Sequence, residues 1–486
     1  MPLPAPNLDD RQFQDLLDEA RRTIPRYCPE WTDHNLSDPG ITLLELFTWL
    51  TEMLVYRLNR VPDKNYIKFM DLLGIRLEPA RPATSDITFR LSAPRSEDTV
   101  IPIGTAVGTL RTETQDTVSF ATDRDLIIRV PQVGHILASR GGERFVDYSP
   151  ALTTTQRGLG VFSDRPVADD GLYLGFANDV SSHTLAISLR CRLEGIGVDP
   201  TDPPLAWETW SSLDERWLAV ALEQDSTGGL NRDGLVVLRL PYQASVTTID
   251  NRSAIWVRAR VTPARPGQPA YSDSPRITSI TVESLGATVP ASHSFRVMGE
   301  LLGSSDGSPG QTFRVQTVPV LTRRAGETLE VENDDGTLEP WAEVADFGSS
   351  GPDDPHFVLD EATGVIELGP RIRSPGGEEH QYGRVPPMGR HVRFSTYRSG
   401  GGVGGNVGAR TLTVLQTSIP YVASVINHTP AIGGTDAEDI EHAKWRAPQV
   451  LRARDRAVTP DDYELLARQA SPAIARARCI GVRDGR

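Results

Sequence analysis

The chain has 486 residues and a formal net charge of −14. This length is too great for one ordinary hydrophobic core and predicts two to four domains. The acidic balance argues against sequence-independent DNA binding, which needs a dense basic face, so no nucleic acid is expected as a partner. No run of about 18 apolar residues occurs, and no membrane span is predicted.

Three cysteines, Cys28, Cys191 and Cys479, lie far apart in the sequence. An odd number at such spacing is no disulfide framework and favours assembly in a reducing compartment, the cytoplasm. The first ten residues, MPLPAPNLDD, have neither a basic n-region nor an apolar h-region. A secretory signal is therefore not expected there.

Residues 1–78 are predicted to be a helical segment. Asp9 or Asp10 would cap the first helix. Its apolar face, spaced as a helix requires, consists of Phe13, Leu16, Leu17, Ala20 and Ile24. A third helix would run from about Asp63 to Leu73 and stop at Gly74.

The second helix of this segment is the most unusual. Asp38 is a good N-cap and Pro39 suits the first helical position. The apolar stripe that follows consists of Leu43, Leu44, Leu46, Phe47, Leu50, Met53, Leu54 and Leu58. One small hairpin cannot cover so wide a stripe. It predicts either an interface with a second protein or coverage by a β-rich part of the same chain.

Residues 79–432 are β-like. Alternating strands predict a β-rich body, with a first part at 79–144 and a second part at 286–432. Between them, 145–285 reads as an inserted, independently folding β-sandwich or jelly roll. It carries four tryptophans, Trp207, Trp210, Trp217 and Trp256. These are either core residues or exposed platforms for a carbohydrate, and the core interpretation is favoured.

The stretch from Ala325 to Pro370 holds thirteen acidic residues and no Lys or Arg. Glu332-Asn-Asp-Asp335-Gly336 lacks the alternating ligands of a calcium loop. A solvated acidic loop is therefore expected rather than a metal site.

Residues 433–486 are predicted to be a C-terminal α/β unit. Thr435 or Asp436 would cap a helix, with Glu438 as the carboxylate of a capping box. The partly apolar face of this helix would be Ile440, Ala443, Trp445 and Ala447. A second helix would open at Thr459-Pro460-Asp461-Asp462, and the beginning of a strand would follow it.

Between these two helices lies an Arg-rich connector that contains Arg452, Arg454 and Arg456. From Lys444 to Arg478 there are eight basic and four acidic residues, a local excess of +4 in an acidic chain. This patch would pair either with an acidic surface on another subunit, such as 325–370, or internally with Asp455, Asp461 and Asp462.

The run RDRAVTPDDYELLA…ARAR, which begins at Arg454, resembles the baseplate J-like wedge proteins of contractile phage tails and related contractile injection systems. The pattern W-T-D-x-N-x-S-D-P-G-I-T-L-L-E-L, which begins at Trp31, resembles the N-terminus of the same wedge proteins. One departure is Leu368-Gly369-Pro370, where the family would have an aromatic residue before the glycine. The family would also continue beyond Arg486, which predicts a truncated chain.

The resemblance implies a structural wedge subunit with no catalytic, cofactor-binding or metal-binding residues. A second wedge protein would pack on the N-terminal helices, and the C-terminal unit would join neighbouring wedges into a ring. A central hub or spike and a sheath would be further partners in a tail-like particle assembled in the cytoplasm. The predicted interface residues are Trp31, Asp38, Leu43, Leu46, Phe47, Leu50, Leu54, Arg452, Arg454, Arg456 and Tyr463.

Three patterns of catalytic or metal chemistry are weak. Gly303–Gly307 fits G-x-S-x-G but leads into a strand rather than the helix of a nucleophile elbow. Gly400–Gly405 fits a dinucleotide pattern and also leads into a strand. Glu438 and His442 are spaced to share a metal but have no further ligands nearby.

Two other functions remain open beside the structural one. A carbohydrate-binding or receptor-contacting tail protein would act through 145–285, and a glycan hydrolase would need a pair of carboxylates that no sequence pattern identifies. The predicted fold is a multidomain α+β protein, mainly β.

Overall fold

The computed structural model describes residues 8–32, 35, 38–59, 63–111, 113, 116–142, 144–149, 158–192, 197–374, 376–454, 456–470, 474 and 476–481. The chain forms two compact units. The smaller unit joins the two ends of the chain, residues 1–80 and 436–486, and the larger one is residues 81–435.

The smaller unit is helical. Its helices α1 to α5 are Phe13–Tyr27, Pro39–Asn59, Asp63–Leu72, Ile440–Ala453 and Pro460–Ala470. The three helices predicted in the N-terminal segment are all present. The C-terminal segment was predicted to be α/β, but the described part of residues 436–481 contains helices and no strand.

Helix α1 starts later than predicted. Neither Asp9 nor Asp10 is its cap, because the capping residue is Gln12. The Gln12 amide donates a hydrogen bond to Asp15 Oδ2 at 3.0 Å. Asp9 instead accepts from the Arg11 amide and side chain. The buried side chains of the helix are Leu16, Leu17 and Ile24, so its predicted apolar face is largely correct.

The start of α2 is the predicted one. Asp38 Oδ1 accepts a hydrogen bond from the Ile41 amide at 3.0 Å, and the helix begins at Pro39. The Trp31 indole lies on Gly40, where an added Cβ would be 2.4 Å from Trp31 Cζ2. Only glycine allows this close approach. Other residues of the predicted motif, Asp33, His34, Leu36 and Ser37, lie outside the described residues.

Helices α3 and α4 bring the two ends of the chain together. Met70 and Ile75 pack on Ala443 and Ala447 in one buried cluster. The capping residue of α4 is Asp439, whose Oδ1 accepts from the His442 amide at 2.7 Å. The prediction that Thr435 or Asp436 caps this helix is therefore wrong.

The larger unit is built from 28 strands in its described part. Strands β1 to β7 are Thr84–Leu91, Thr99–Ile101, Ala106–Thr109, Ser119–Thr122, Leu126–Ile128, Val133–Arg140 and Arg144–Asp147. Strands β8 to β16 are Leu159–Gly160, Gly171–Phe176, His183–Arg192, Leu205–Ser211, Arg216–Ala219, Ala221–Asp225, Gly234–Arg239, Val246–Ile249 and Arg252–Val261. Strands β17 to β22 are Arg276–Ser292, Ser294–Ser304, Thr312–Arg314, Leu329–Glu332, Leu338–Glu343 and His356–Leu359. Strands β23 to β28 are Val365–Leu368, Arg371–Arg373, Glu379–Gln381, His391–Gly400, Leu412–Leu415 and Val422–Asn427.

These strands form three large sheets. A ten-stranded sheet has the order β13-β14-β10-β17-β4-β3-β27, with β1 between β17 and β28 and with β8 paired to β17. A seven-stranded sheet has the order β12-β11-β16-β9-β6-β7, with β15 on β16. The third has the order β18-β26-β20-β21-β22-β23-β19. The pairs β2-β5 and β24-β25 are separate.

The predicted β-sandwich is present. Alternate residues of β10 and β14 pack on alternate residues of β9 and β16 to form one core, in which Leu185, Leu174 and Val257 are fully buried. This packing is the one expected of two facing sheets with period-two strands.

One strand belongs to two cores. The first half of β17 contributes Ile277 to the sandwich, and the second half contributes Ala287, Val289 and Ala291 to a core with β1. The predicted boundary at residue 285 falls inside β17, and the one at 144/145 falls at the start of β7. The module at 145–285 stays a prediction as an independent domain.

The acidic stretch 325–370 is not the solvated loop that was expected. It forms β20 to β23 of the third sheet, and Asp335 Oδ1 holds the β20–β21 turn by accepting from the Thr337 amide at 2.9 Å. The core of that sheet includes Leu329, Trp341 and Phe357.

Among the described helices, none is both long and apolar enough to cross a membrane.

Candidate interaction surface

The apolar stripe of α2 is exposed. We call Leu43, Leu46, Phe47, Leu50, Leu54 and Leu58 the outer face; these positions recur at i, i+3, i+4, i+7, i+11 and i+15, so they lie on one side of the helix. Their exposed fractions range from 41% at Leu50 to 64% at Leu54. Of the predicted interface residues, five belong to this face, namely Leu43, Leu46, Phe47, Leu50 and Leu54.

The opposite side of α2 faces α1 and is more polar. Ile41 and Thr48 are its buried residues. Glu52 Oε1 accepts a hydrogen bond from the Phe13 amide at 2.9 Å, and Glu45 lies 3.7 Å from Arg21 Nη2. Helix α1 packs on the polar side of α2, so α1 does not cover the outer face.

Exposed apolar residues extend beyond the outer face. Trp49 and Tyr56 of α2 are exposed, as are Phe69 and Leu72 of α3 and Leu73 after it. Soluble proteins scatter single apolar residues on their surfaces, but groups of large ones on adjacent elements are typical of binding surfaces. The smaller unit therefore offers an apolar surface rather than one exposed residue.

Trp31 and Asp38 have local roles in the structure. Trp31 is half-buried against Gly40, and Asp38 caps α2. They fix the start of the helix that carries the outer face. Their predicted place in an interface stays a prediction.

The Arg-rich connector is exposed. Arg452, Arg454 and Arg456 are all solvent-exposed, and Arg454 ends α4 in the left-handed conformation with φ of 46°. No ion pair joins these three to an acidic residue in the described part of the chain. Tyr463, on α5, is also exposed, at 53%.

Asp462, one of the proposed internal partners of these arginines, forms hydrogen bonds with backbone amides instead. Asp462 Oδ2 accepts from the Val458 and Thr459 amides at 3.2 and 2.8 Å and so caps α5. Asp455 lies outside the described residues. Among the described residues, no ion pair between the connector arginines and these aspartates is observed.

The proposed intersubunit partner, the stretch 325–370, is also largely occupied. Seven of its thirteen carboxylates form ion pairs with arginines that flank it in sequence. These pairs are Arg323–Glu343, Arg323–Glu361, Arg384–Glu339, Arg390–Glu332, Arg390–Asp334, Arg393–Glu330 and Arg398–Glu327. This stretch is therefore a poor acceptor for a second set of arginines.

A bidentate ion pair of the smaller unit is not predicted from the sequence. Glu438 was assigned to a capping box, but it is almost fully buried and binds Arg446, whose Nε and Nη2 donate to Oε1 and Oε2 at 2.8 and 2.6 Å. The Glu78 amide and His442 Nδ1 also contact this carboxylate, at 3.1 and 2.8 Å. The pair thus ties α4 to the chain that follows α3.

Two opposing effects act on the Glu438 carboxyl group. Burial favours its neutral form, but the hydrogen bonds from Arg446, Glu78 and His442 favour the anion, and the net pKa lies below its ordinary value. The same contacts raise the pKa of Arg446. Both groups are therefore charged at neutral pH.

The described residues contain no group of three or more His, Cys, Asp or Glu side chains placed to hold a metal. His442 Nδ1 lies 2.8 Å from Glu438 Oε1, but Glu438 precedes the cap of α4 and is buried against Arg446, so the pair is not the exposed helix-surface pair that was expected.

The two glycine motifs lie in turns of the larger unit. Ser305 of Gly303–Gly307 is buried, and its hydroxyl donates to the Pro386 carbonyl at 2.9 Å, in a loop between β18 and β19. In Gly400–Gly405, a Cβ on Gly400 would be 2.7 Å from the His293 carbonyl oxygen. Both motifs have structural roles in backbone packing here.

The four tryptophans of the sandwich do not form an exposed platform. Trp207 and Trp256 are buried, and Trp210 and Trp217 are half-buried. The Arg258 guanidinium covers the Trp217 ring, 3.8 Å from its centroid. The carbohydrate-binding alternative loses the residues on which it was based.

Comparisons with known proteins add little at the sequence level. No protein-family profile matches the chain, and no curated protein matches it. Among solved structures, a chain of the type VI secretion system TssK-TssF-TssG baseplate subcomplex is similar with a TM-score of 0.34 and 12% identity, over 85% of this chain and 78% of that one. A chain of the anti-feeding prophage baseplate is similar with a TM-score of 0.29 and 13% identity, over 99% of this chain and 63% of that one. TM-scores this low do not establish a shared fold.

Proposed function

We propose that this chain is a structural wedge subunit in the baseplate of a contractile injection system or phage-like tail. It would hold the sheath and hub until target contact and rearrange on contraction. Its role would be mechanical, and no catalytic step is assigned to it.

Two stretches of sequence support the proposal independently. The motif from Trp31 to Leu46 and the run from Arg454 onward each resemble baseplate wedge proteins, and they lie at opposite ends of the chain. In the structure both belong to the smaller unit. These two stretches, far apart in sequence, therefore belong to one compact unit.

The single observation that carries the proposal is the exposed outer face of α2. Burying a large aliphatic or aromatic side chain is worth roughly 1.5–3 kcal/mol. Six such residues on one helix face would contribute more than the polar contacts at an interface rim. A second wedge protein is the proposed occupant, through a helix with its own apolar stripe.

The exposed arginines of the connector supply a second, polar contact. Arg452, Arg454 and Arg456 would join neighbouring wedges by pairing with carboxylates of the next subunit in a head-to-tail ring. Because the carboxylates of 325–370 are largely paired within their own chain, the proposed acceptors are other, unpaired carboxylates of the next subunit. The hub or spike and the sheath are further proposed partners in a particle assembled in the cytoplasm.

The test is Leu46→Asp combined with Leu50→Asp. Both side chains are exposed, at 49% and 41%, so two carboxylates there should not unfold the chain. They should abolish burial of the outer face because a charged group in an apolar interface is strongly unfavourable. In the producing cell, particles purified by gradient centrifugation should disappear, while the thermal melt of the isolated chain stays unchanged.

Leu213→Asp is the matched control. Leu213 is 78% exposed, in the turn between β11 and β12 of the larger unit. It should leave particle yield unchanged. Normal particles from the double variant would falsify the proposal that the outer face is an assembly surface.

A further inference from the structure

A cleft of about 440 Å³ opens on the larger unit. Its floor is formed by β1 and β17. The turn between β4 and β5, the segment after β14 and the loop after β28 form its walls. Binding sites for small ligands typically measure roughly 300–1,000 Å³, so the cleft has room for an organic molecule of one or two rings.

The described side chains that line the cleft include more cationic than anionic groups. Arg124 comes from the turn between β4 and β5, and Arg239 is the last residue of β14. Asp86 of β1 is the one carboxylate among these described residues, and no ion pair joins it to either arginine. Two guanidinium groups against one carboxylate leave a positive charge in excess, in a chain whose net charge is −14.

Both arginines keep hydrogen-bond donors for a ligand. Arg124 is exposed, and its guanidinium has no hydrogen bond or ion pair with any residue that the structure describes. Arg239 Nε donates to Glu223 Oε1 at 3.2 Å, but its Nη atoms have no acceptor in the described part of the chain. Glu223 Oε2 binds Arg90 Nη2, so this carboxylate is shared by two arginines and is not available to a ligand. A guanidinium has five N–H donors, and most of those on Arg124 and Arg239 are unused.

The side of the cleft at His428 is also cationic. Burial lowers the pKa of this histidine below its ordinary value, so its ring is neutral at neutral pH. Arg239, Arg90 and Arg410 lower this pKa further, and Glu223 acts in the opposite direction. Three arginines against one carboxylate near the ring favour an anion in the cleft over a neutral or cationic ligand.

Uncharged groups form much of the remaining lining. The Thr88 and Thr288 hydroxyl groups are 2.8 Å apart and hydrogen-bonded to each other, so they close the floor rather than serve a ligand. Tyr242 lines the cleft and is 61% exposed, and Gln243 beside it is half-buried. An exposed aromatic ring offers an apolar face, and an amide both donates and accepts hydrogen bonds. These groups fit the uncharged part of a ligand whose anionic group lies on the arginines.

Asp86 limits the charge of that ligand. Its carboxylate is exposed and would repel a second negative charge, but it can accept a hydrogen bond from a hydroxyl or amide group. We propose that the cleft binds a small organic acid with one oxyanion group, a carboxylate or a phosphate, held by Arg124 and Arg239, and with an uncharged polar ring against Tyr242. The planar fork of arginine matches both kinds of oxyanion. This ligand-recognition function does not rest on the proposed wedge role.

The experiment is calorimetric titration of the full chain at low ionic strength, where charge pairs are least screened. The probes are glucuronic acid and N-acetylneuraminic acid for a carboxylate, glucose 6-phosphate for a phosphate, and glucose as the uncharged counterpart. At least one of the three anions should bind saturably, and about tenfold or more tightly than glucose. Arg124→Gln should weaken that binding about tenfold and leave the thermal melt unchanged, because the replaced side chain is exposed and has no partner among the described residues.

Arg239→Gln is the second cleft variant. It leaves Glu223 paired with Arg90 and should weaken binding of the anion to a similar extent. The matched control is Arg216→Gln, which replaces an exposed arginine of β12 outside the cleft and should leave the affinity unchanged. The proposal is overturned if none of the three anions binds, if glucose binds as tightly as they do, or if both cleft variants bind an anion as tightly as the unchanged chain.

Discussion

The two units of the chain place their large apolar side chains differently. In the described part of the chain, 38 large apolar side chains are exposed, and nineteen of them belong to the smaller unit, although the larger unit is more than twice as long. The described part of the larger unit closes four buried clusters, each between its own strands. The smaller unit buries few residues and exposes one whole side of α2.

Under the proposed function, this difference separates a unit whose cores are closed from a unit that a partner would cover. A chain that folds alone gains most of its stability by burying apolar area, so nineteen exposed large residues represent unused stabilisation. A partner that buries the six residues of the outer face would gain part of this stabilisation. The same comparison predicts that changes inside the larger unit act on folding, while changes on the surface of the smaller unit act on assembly.

The largest expected effect is on folding, and it depends on which residues are deleted together with the sandwich. Deleting residues 145–285 should make the chain aggregate, because it removes the first ten residues of β17 and leaves β6 with its buried Ile136 and Leu137 unpaired. Exposing such residues costs several kcal/mol and creates a free strand edge. The sequence alone favours the opposite result for this deletion.

Replacing residues 133–283 with a short Gly-Ser linker should instead leave a soluble chain with a cooperative melt. This deletion removes every residue of the sandwich core. The two ends that the linker joins lie near each other, because the Arg129 amide is 2.9 Å from His183 Nε2 and His183 pairs with Ala287. Size-exclusion chromatography and circular dichroism distinguish the two deletions. Equal behaviour of both would contradict the assignment of β17 to two cores.

The next effect concerns the ion pair that holds the smaller unit together. Glu438→Gln should lower the stability of that unit by roughly 2 kcal/mol, because the nearly buried Arg446 loses its bidentate partner and keeps only the more exposed Glu78 carboxylate, 3.7 Å away, as a counter-charge. Hydrogen exchange of peptides from 63–80 and 436–453 should accelerate, while the larger unit is unaffected. Glu441→Gln removes an exposed carboxylate from the buried Lys444 and should cost less, about 1 kcal/mol or below, since Lys444 also lies over the Tyr66 ring.

The acid dependence of the smaller unit should follow from the same residue. The folded pKa of Glu438 lies below its ordinary 4.5, so the stabilisation is present above that pH and is lost as the pH falls through the lower, folded pKa. After correction for the intrinsic pH dependence of amide exchange, the protection of the α3 and α4 peptides should therefore fall as the pH drops below about 4.5. In Glu438→Gln this part of the acid dependence should be absent, and an unchanged profile would assign it to another carboxyl group.

The smallest effect on folding is expected at the arginine connector. Arg454→Glu with Arg456→Glu should change the free energy of unfolding by less than about 0.5 kcal/mol, since both side chains are exposed and unpaired among the described residues. Particle formation should nevertheless fail, because reversed charges repel the proposed carboxylates. Arg140→Glu with Arg144→Glu, exposed at a hairpin of the larger unit, is the control. Loss of folding in the connector variant would place these arginines inside the unit.

Several elements could be predicted from the sequence because they depend on interactions between neighbouring residues. The cap at Asp38, the helix stop at Gly74 and the alternating strands of the sandwich depend on residues close together in the chain. The outer face was also readable, because helical spacing alone puts its leucines on one side. These features supply the helices and the mainly β body.

Only the tertiary structure decided how distant residues are used. The thirteen acids of 325–370 look solvated in sequence because the arginines that pair with seven of them lie outside the stretch, before it and in and near β26. Glu438 looks like a helix cap until the chain at Glu78 and Arg446 is brought against it. Strand β17 spans two cores, which no local pattern records. Long-range pairing sets these outcomes, and its partners are chosen by the folded chain rather than by neighbouring residues.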